Sequence, residues 1–275
     1  MPSTHEYPYW SSSVVNRFCK RFLLLLAVML TVGTGPAQAW KSVFERTLTD
    51  RAVMAFQEGN YSRVRELLGT DETADDPRAW YVLGRMYQEG RGGYALDVKR
   101  AEKLYRSAAE AGHIDAMLAL ADMFARGSGV SPNFSVARVW YERAAKAGNV
   151  PAMILVANDY AGTNGASPDY ERARVWYEQA AAAGNNAAMM ALGNLYRNGQ
   201  GVELSFVEAV MWYRLAIKNG NQEAVAAEAL VTRFLTAEEL ADADRRVAEW
   251  ERLAGWGVTA GSPAVAPVAP APTKP

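Results

Sequence analysis

With 275 residues, half of them apolar, and a formal net charge of −1, the chain has material for one or two ordinary domains and no basic excess that would mark a nucleic-acid binder. Its one cysteine, Cys19, lies close to the N-terminus, so the remainder must be held together by packing rather than disulfides.

Arg17, Lys20 and Arg21 precede an apolar run over residues 22–32, followed by Ala37-Gln38-Ala39, the form of an export signal with a small-residue cleavage site. Residues 1–39 are therefore read as a signal peptide, Trp40 as the mature start, and the location as periplasmic. The apolar run is shorter than the roughly 20 residues needed to cross a bilayer, so no stable membrane anchor is expected after cleavage. The polar stretch before Arg17 is long for such a signal and points to a translation start nearer Val14 or Val15.

Residues 44–68 read as a loose helical hairpin turning at Glu58-Gly59-Asn60; with a linker it fills residues 40–75. Asp71, Glu72, Asp75 and Asp76 lack the glycine turn and distal glutamate of a calcium-binding loop and read as a solvated linker.

From residue 76 the chain repeats. Gly112, Gly148, Gly184 and Gly220 stand 36 residues apart, and so do Tyr105, Tyr141, Tyr177 and Tyr213. Ala101, Ala137, Ala173 and Ala209 lie four residues before those tyrosines, and Ala108, Ala144, Ala180 and Ala216 three after, which is one face of a helix. Asp97, Asn133, Asp169 and Ser205 sit where that second helix of each unit needs an N-cap, and the repeated glycines can take the left-handed conformation that ends it.

The first helix of each unit carries Ala79, Ala116, Ala152 and Ala188, then Leu83, Leu120, Val156 and Leu192, then the small residues Gly84, Ala121, Ala157 and Gly193. It ends in Tyr87, Phe124, Tyr160 and Tyr196, with turn glycines Gly90, Gly127, Gly162 and Gly199 beyond. One inserted residue falls in the first of these loops, and Pro151 suits a first helical turn.

Thr236 and Glu239 form a capping-box pattern opening a last helix in which Leu240, Val247 and Trp250 can face the stack, so residues 221–257 read as C-terminal capping helices. Residues 258–275, rich in Pro, Ala and Val, are expected to form no packed structure.

The string Ala188, Leu192, Gly193, Tyr196, Gly199, Gly201, Val202, Ala209, Trp212, Tyr213, Ala216 and Gly220 resembles the sel-1-like repeat, a relative of the tetratricopeptide repeat. Four such repeats cover residues 76–220, with Phe124, Leu104 and Ile217 as departures at packing positions. The resemblance implies an all-α, right-handed solenoid of helix-turn-helix repeats, acting as an adaptor that assembles other macromolecules.

In related repeats the first helix lines the concave face. There the resemblance places an apolar row, Tyr81, Leu118, Ile154 and Met190, beside a polar row, Arg85, Asp122, Asn158 and Asn194, with Arg197 adding a cation near Asn194. Asparagine offers donor and acceptor together, so Asn158 and Asn194 are expected to hold the backbone of an extended peptide, while the apolar row supplies contact. The competing reading buries the apolar row under neighbouring helices and leaves both asparagines solvated.

Trp140, Tyr141, Trp176, Tyr177, Trp212 and Tyr213 read as inter-helix core rather than a ring-stacking site, and His113 as a turn residue in the place held elsewhere by Asn149, Asn185 and Asn221. No nucleophile with its base, metal constellation or paired acid and base is legible, so no catalytic residue, cofactor or metal is expected. The function expected is a non-catalytic periplasmic scaffold for a protein or extended peptide of the cell envelope. The alternatives are a hydrolase acting on cell-wall-like or β-lactam compounds, as in cysteine-rich relatives this chain does not match, or a structural subunit of an envelope complex.

Overall fold

The computed structural model describes residues 48–69, 75–163 and 165–254. The signal-like segment and the Pro/Ala-rich tail lie outside them. Every regular element among the described residues is helical. A first hairpin joins α1, residues 48–57, to α2, Tyr61–Leu68, through the expected Gly59 turn. Four hairpins follow: α3 (Pro77–Glu89) with α4 (Val98–Glu110), α5 (Ile114–Arg126) with α6 (Phe134–Lys146), α7 (Val150–Tyr160) with α8 (Tyr170–Ala182), and α9 (Asn186–Asn198) with α10 (Phe206–Lys218). The chain closes with α11 (Glu223–Thr232) and α12 (Ala237–Leu253).

The helix ends fall where local chemistry puts them. Asp97, Asn133, Asp169 and Ser205 each accept the N3 backbone N–H of a second helix. Asn149 and Asn185 cap first helices in the same way, and Asp76, read from sequence as part of a linker, is instead the cap of α3. At the far ends, Gly112, Gly148, Gly184 and Gly220 each come directly after the C-cap residue with φ of 85–93°, a conformation costly to any residue with a Cβ.

Each hairpin packs its second helix on its own first helix and on the first helix of the next hairpin, the connectivity of a solenoid. The core is built from the interleaved small and aromatic residues. Gly84 lies under Tyr105 and Gly193 under Tyr213, so close that a Cβ on Gly84 would stand 2.6 Å from Tyr105 Cε1 and one on Gly193 2.5 Å from Tyr213 Cδ1. Both rings are fully buried, whereas opposite the alanines Tyr177 is 5% exposed and Tyr141 is half-buried. Where the first helix carries glycine, the tyrosine sits fully buried.

A second interlock joins successive hairpins. The loop glycine after a first helix presses on the opening residue of the preceding second helix: Gly92 on Tyr61, Gly129 on Val98 and Gly201 on Tyr170, where an added Cβ would meet atoms at 2.6–2.7 Å. The third loop breaks this rule. α7 ends at Tyr160 with Ala161 in a right-handed conformation, and the glycine that turns the chain, Gly162 at φ 84°, comes one residue earlier in the period than Gly90, Gly127 and Gly199. Thr163 holds the equivalent place, and a β-branched residue cannot cheaply take the left-handed conformation glycine supplies there. A Cβ on Gly165 would therefore meet nothing within 4 Å, and Phe134, its counterpart to Val98, is 54% exposed.

At the C-terminus the capping box of Thr236 and Glu239 forms as expected, and Val247 is buried with Leu240 and Trp250 packed beside it. The charged residues of α12 do more than face water. Asp244 pairs with Arg214 at 2.7 Å and Arg246 with Glu208, tying α12 to α10. Burial pushes the Glu208 carboxyl up, against the opposing pull of Arg246.

Candidate functional site

A cleft of about 550 Å³ lies in the first-helix face between α3 and α5. Tyr81 and Arg85 line it from α3, Leu118 and Asp122 from α5, and Gln88, Glu89, Asp115 and Arg126 complete its rim. Four of the nine residues singled out from sequence are thus brought into one cleft. Ile154, Asn158, Met190, Asn194 and Arg197 repeat the same register on α7 and α9 but do not line it.

The apolar row agrees with neither sequence reading in full. Tyr81, Leu118, Ile154 and Met190 are each half-buried, packed on the core by one side and open on the other. Tyr81 is also positioned: its ring stacks on His113 at 4.8 Å and 21°. His113 caps α5 by accepting the Ala116 N–H on Nδ1 at 3.3 Å, and burial lowers its pKa, favouring the neutral ring that can accept. The turn residue therefore holds both the start of α5 and the orientation of a cleft aromatic.

The polar row has partners within the protein. Each repeat tyrosine donates its hydroxyl to the first helix of its own hairpin: Tyr141 to Asp122, Tyr177 to Asn158 at 2.6 Å and Tyr213 to Asn194 at 2.9 Å. The constant 19-residue spacing is the signal sequence reasoning missed, because it treated these tyrosines as apolar core alone. Asn158 and Asn194 thus each commit one of the two acceptor positions of their side-chain oxygen to the tyrosine of their own hairpin. In the first repeat Arg85 occupies the row and cannot accept, and Tyr105 donates instead to Gln88 at 2.7 Å.

Burial raises the pKa of Tyr105, Tyr141, Tyr177 and Tyr213, to about 12 for Tyr177, so the ladder stays protonated and donating at neutral pH. Arg85 is held by Glu89 at 2.7 Å, and Glu89 also pairs with Arg91 at 3.0 Å. Arg126 lies 3.6 Å from Asp122. Arg197 reaches the side chain of Asn198 at 3.3 Å rather than Asn194. The cleft combines the apolar Tyr81, Leu118 and Met123 with the charged Arg85, Glu89, Asp122 and Arg126. Among the described residues no three His, Cys, Asp or Glu side chains gather as metal ligands would, and no helix is long and apolar enough to cross a membrane.

The hairpins α3–α4, α5–α6, α7–α8 and α9–α10 coincide with four consecutive matches to the Sel1 repeat, over residues 77–113, 114–149, 150–185 and 186–221, more than half of the chain. The chain belongs to the Sel1 repeat family. A Sel1 repeat protein from Oxalobacter formigenes has a similar crystal structure, with a TM-score of 0.58, 28% identity, and coverage of 65% of this chain and 73% of that one. A protective antigen of uropathogenic Escherichia coli strains with an SLR fold, c5321, aligns with a TM-score of 0.42 and 23% identity over 82% of this chain and 58% of that one. A sel1 repeat protein from Klebsiella pneumoniae subsp. pneumoniae aligns with a TM-score of 0.41 and 18% identity over 68% and 93%. No curated protein matches the chain. Sel1 repeats are α-solenoid scaffolds that mediate protein–protein interaction and are typically non-catalytic.

Proposed function

We propose that this Sel1 repeat chain is a periplasmic adaptor that holds an extended peptide or protein segment of a cell-envelope partner against its first-helix face, with the α3–α5 cleft as the principal contact. The observation that carries the reading is the cleft itself: Tyr81 and Leu118 offer apolar surface, their positions fixed by His113 stacking and core packing, in the lining of a concavity of about 550 Å³. Half-buried apolar side chains on rigid helices can take up a partner with little loss of their own conformational freedom. The N–H donors of Asn158 and Asn194 extend the same face and suit carbonyl oxygens of a bound backbone. The export-type N-terminus supports the periplasmic location.

The test is site-specific photocrosslinking in intact cells. A photoreactive residue at Leu118 is expected to give a discrete adduct with an envelope protein, and one at Val139, exposed on a second helix, is expected to give none. An adduct from Val139 and none from Leu118 would place the working surface on the second helices and end the proposal.

A further inference from the structure

The C-terminal end of the array carries a second surface. α11 continues the period as a fifth first helix: Ala224 and Val231 stand 36 residues after Ala188 and Leu195 and are buried against α10 as their counterparts are buried in the array. Among the described residues α11 has no second helix of its own. Ala229 holds the place of Gly84, Ala121, Ala157 and Gly193, the small residue that elsewhere lies beneath the tyrosine of its own hairpin, and here it is exposed. Val225 holds the place of Trp80, Met117, Met153 and Met189, which are buried or half-buried, yet it is 46% exposed.

The connection explains the vacancy. A complete hairpin such as α9–α10 joins its helices through residues 199–205, with Gly199 and Gly201 in left-handed conformations, whereas α11 and α12 are joined by residues 233–236 without a glycine. The shorter link lays α12 on α10 rather than along the open side of α11. In sequence register the tyrosine position falls on Glu249, which is exposed. The expectation of a capped end therefore holds for α10 and fails for α11.

We infer that this open side of α11 is a docking site for an amphipathic helix of a partner protein, one presenting a small residue, an aromatic four residues on and a second small residue three beyond, so that it completes the fifth hairpin. The identity of the occupant follows from an interface present four times in the molecule. In each repeat the same face of a first helix is covered by a helix with that spacing, as with Ala173, Tyr177 and Ala180 on α8. Leu230, 49% exposed, and Phe234, 62% exposed and stacked on Phe206 at 5.6 Å, extend the apolar margin. A second copy of the chain suits the site poorly, because each second helix of the array is already packed in its own hairpin. This surface is separate from the α3–α5 cleft, and its test does not depend on that cleft.

The probe is a synthetic peptide with the sequence of Tyr170–Ala182, fluorescently labelled and cross-braced on its outward side, since a helix this short is marginal alone. Its binding to the full chain is followed by anisotropy. Saturable binding is expected, and Ala229→Arg and Val225→Glu, both at exposed positions and so compatible with an unchanged circular dichroism spectrum, should each weaken it by roughly tenfold or more. A peptide with Asp in place of Tyr177 should bind no better than the variants do. Absence of binding, or binding indifferent to both substitutions, overturns the proposal. So does a photocrosslink from position 225 to residues 255–275 of the same chain or to a second copy, because the site would then already have another occupant.

Discussion

Replacing Gly193 by alanine should destabilise the protein, although the same change in a helix interior ordinarily helps. Glycine costs about 1 kcal/mol relative to alanine inside a helix, so propensity alone favours the substitution at this site in α9. The added Cβ would, however, stand 2.5 Å from Tyr213 Cδ1. Carbon atoms at rest sit roughly 3.5–4.0 Å apart, so the ring would have to move by about 1 Å. Tyr213 has no room for that: its ring is fully buried and its hydroxyl is held by Asn194 at 2.9 Å. Overpacking of this kind costs about 1–3 kcal/mol, which leaves a net loss of up to about 2 kcal/mol once the propensity gain is set against it. The assay is urea unfolding of Gly193→Ala in the native background and in a Tyr213→Leu background that removes the ring. The substitution should lower the midpoint in the first and raise it in the second, by roughly the 1 kcal/mol that propensity supplies. An effect of the same sign and size in both would refute the seating of the ring over Gly193 and with it the packing rule drawn for the repeats.

Tyr177→Phe removes one rung of the hydroxyl ladder and should cost about 0.5–1.5 kcal/mol in unfolding experiments, while the ultraviolet titration of the folded protein loses a tyrosine ionising at about 12. Because the folded pKa of Tyr177 lies above the ordinary value near 10, its contribution to stability is fully present below pH 10 and is lost as pH rises towards 12. The alkaline unfolding limb should therefore be shallower in Tyr177→Phe. Thr236→Ala breaks the capping box and should cost about 0.5–2 kcal/mol, with faster hydrogen exchange confined to the first turn of α12.

Much of this architecture is written in short-range chemistry. The caps Asp97, Asn133, Asp169 and Ser205 and the glycines that follow the second helices act within a few residues of where they stand, and the structure places helix ends at them. What sequence hid was geometry between helices. The tyrosines looked apolar by period, and only their position across the hairpin reveals that their hydroxyls bond the side-chain oxygens of Asn158 and Asn194. Leu240, Val247 and Trp250 announced an amphipathic α12 without saying which helix it would cover, since that depends on the length of the link after α11. The early end of α7 was masked because Gly162 resembles the other turn glycines, although Thr163 holds the position that matters. Of the nine cleft candidates, the register was legible for all; that only Tyr81, Arg85, Leu118 and Asp122 share a concavity depends on how α3 and α5 lie against each other.

The measurement that bears most directly on the proposed adaptor role is hydrogen-exchange footprinting of the full chain alone and in complex with the partner crosslinked through Leu118. The account predicts slowed exchange over α3 and α5, extending to the first helices α7 and α9, with α4, α6 and α8 unchanged. Protection concentrated on those second helices, with α3 and α5 exchanging as in the free chain, would contradict it.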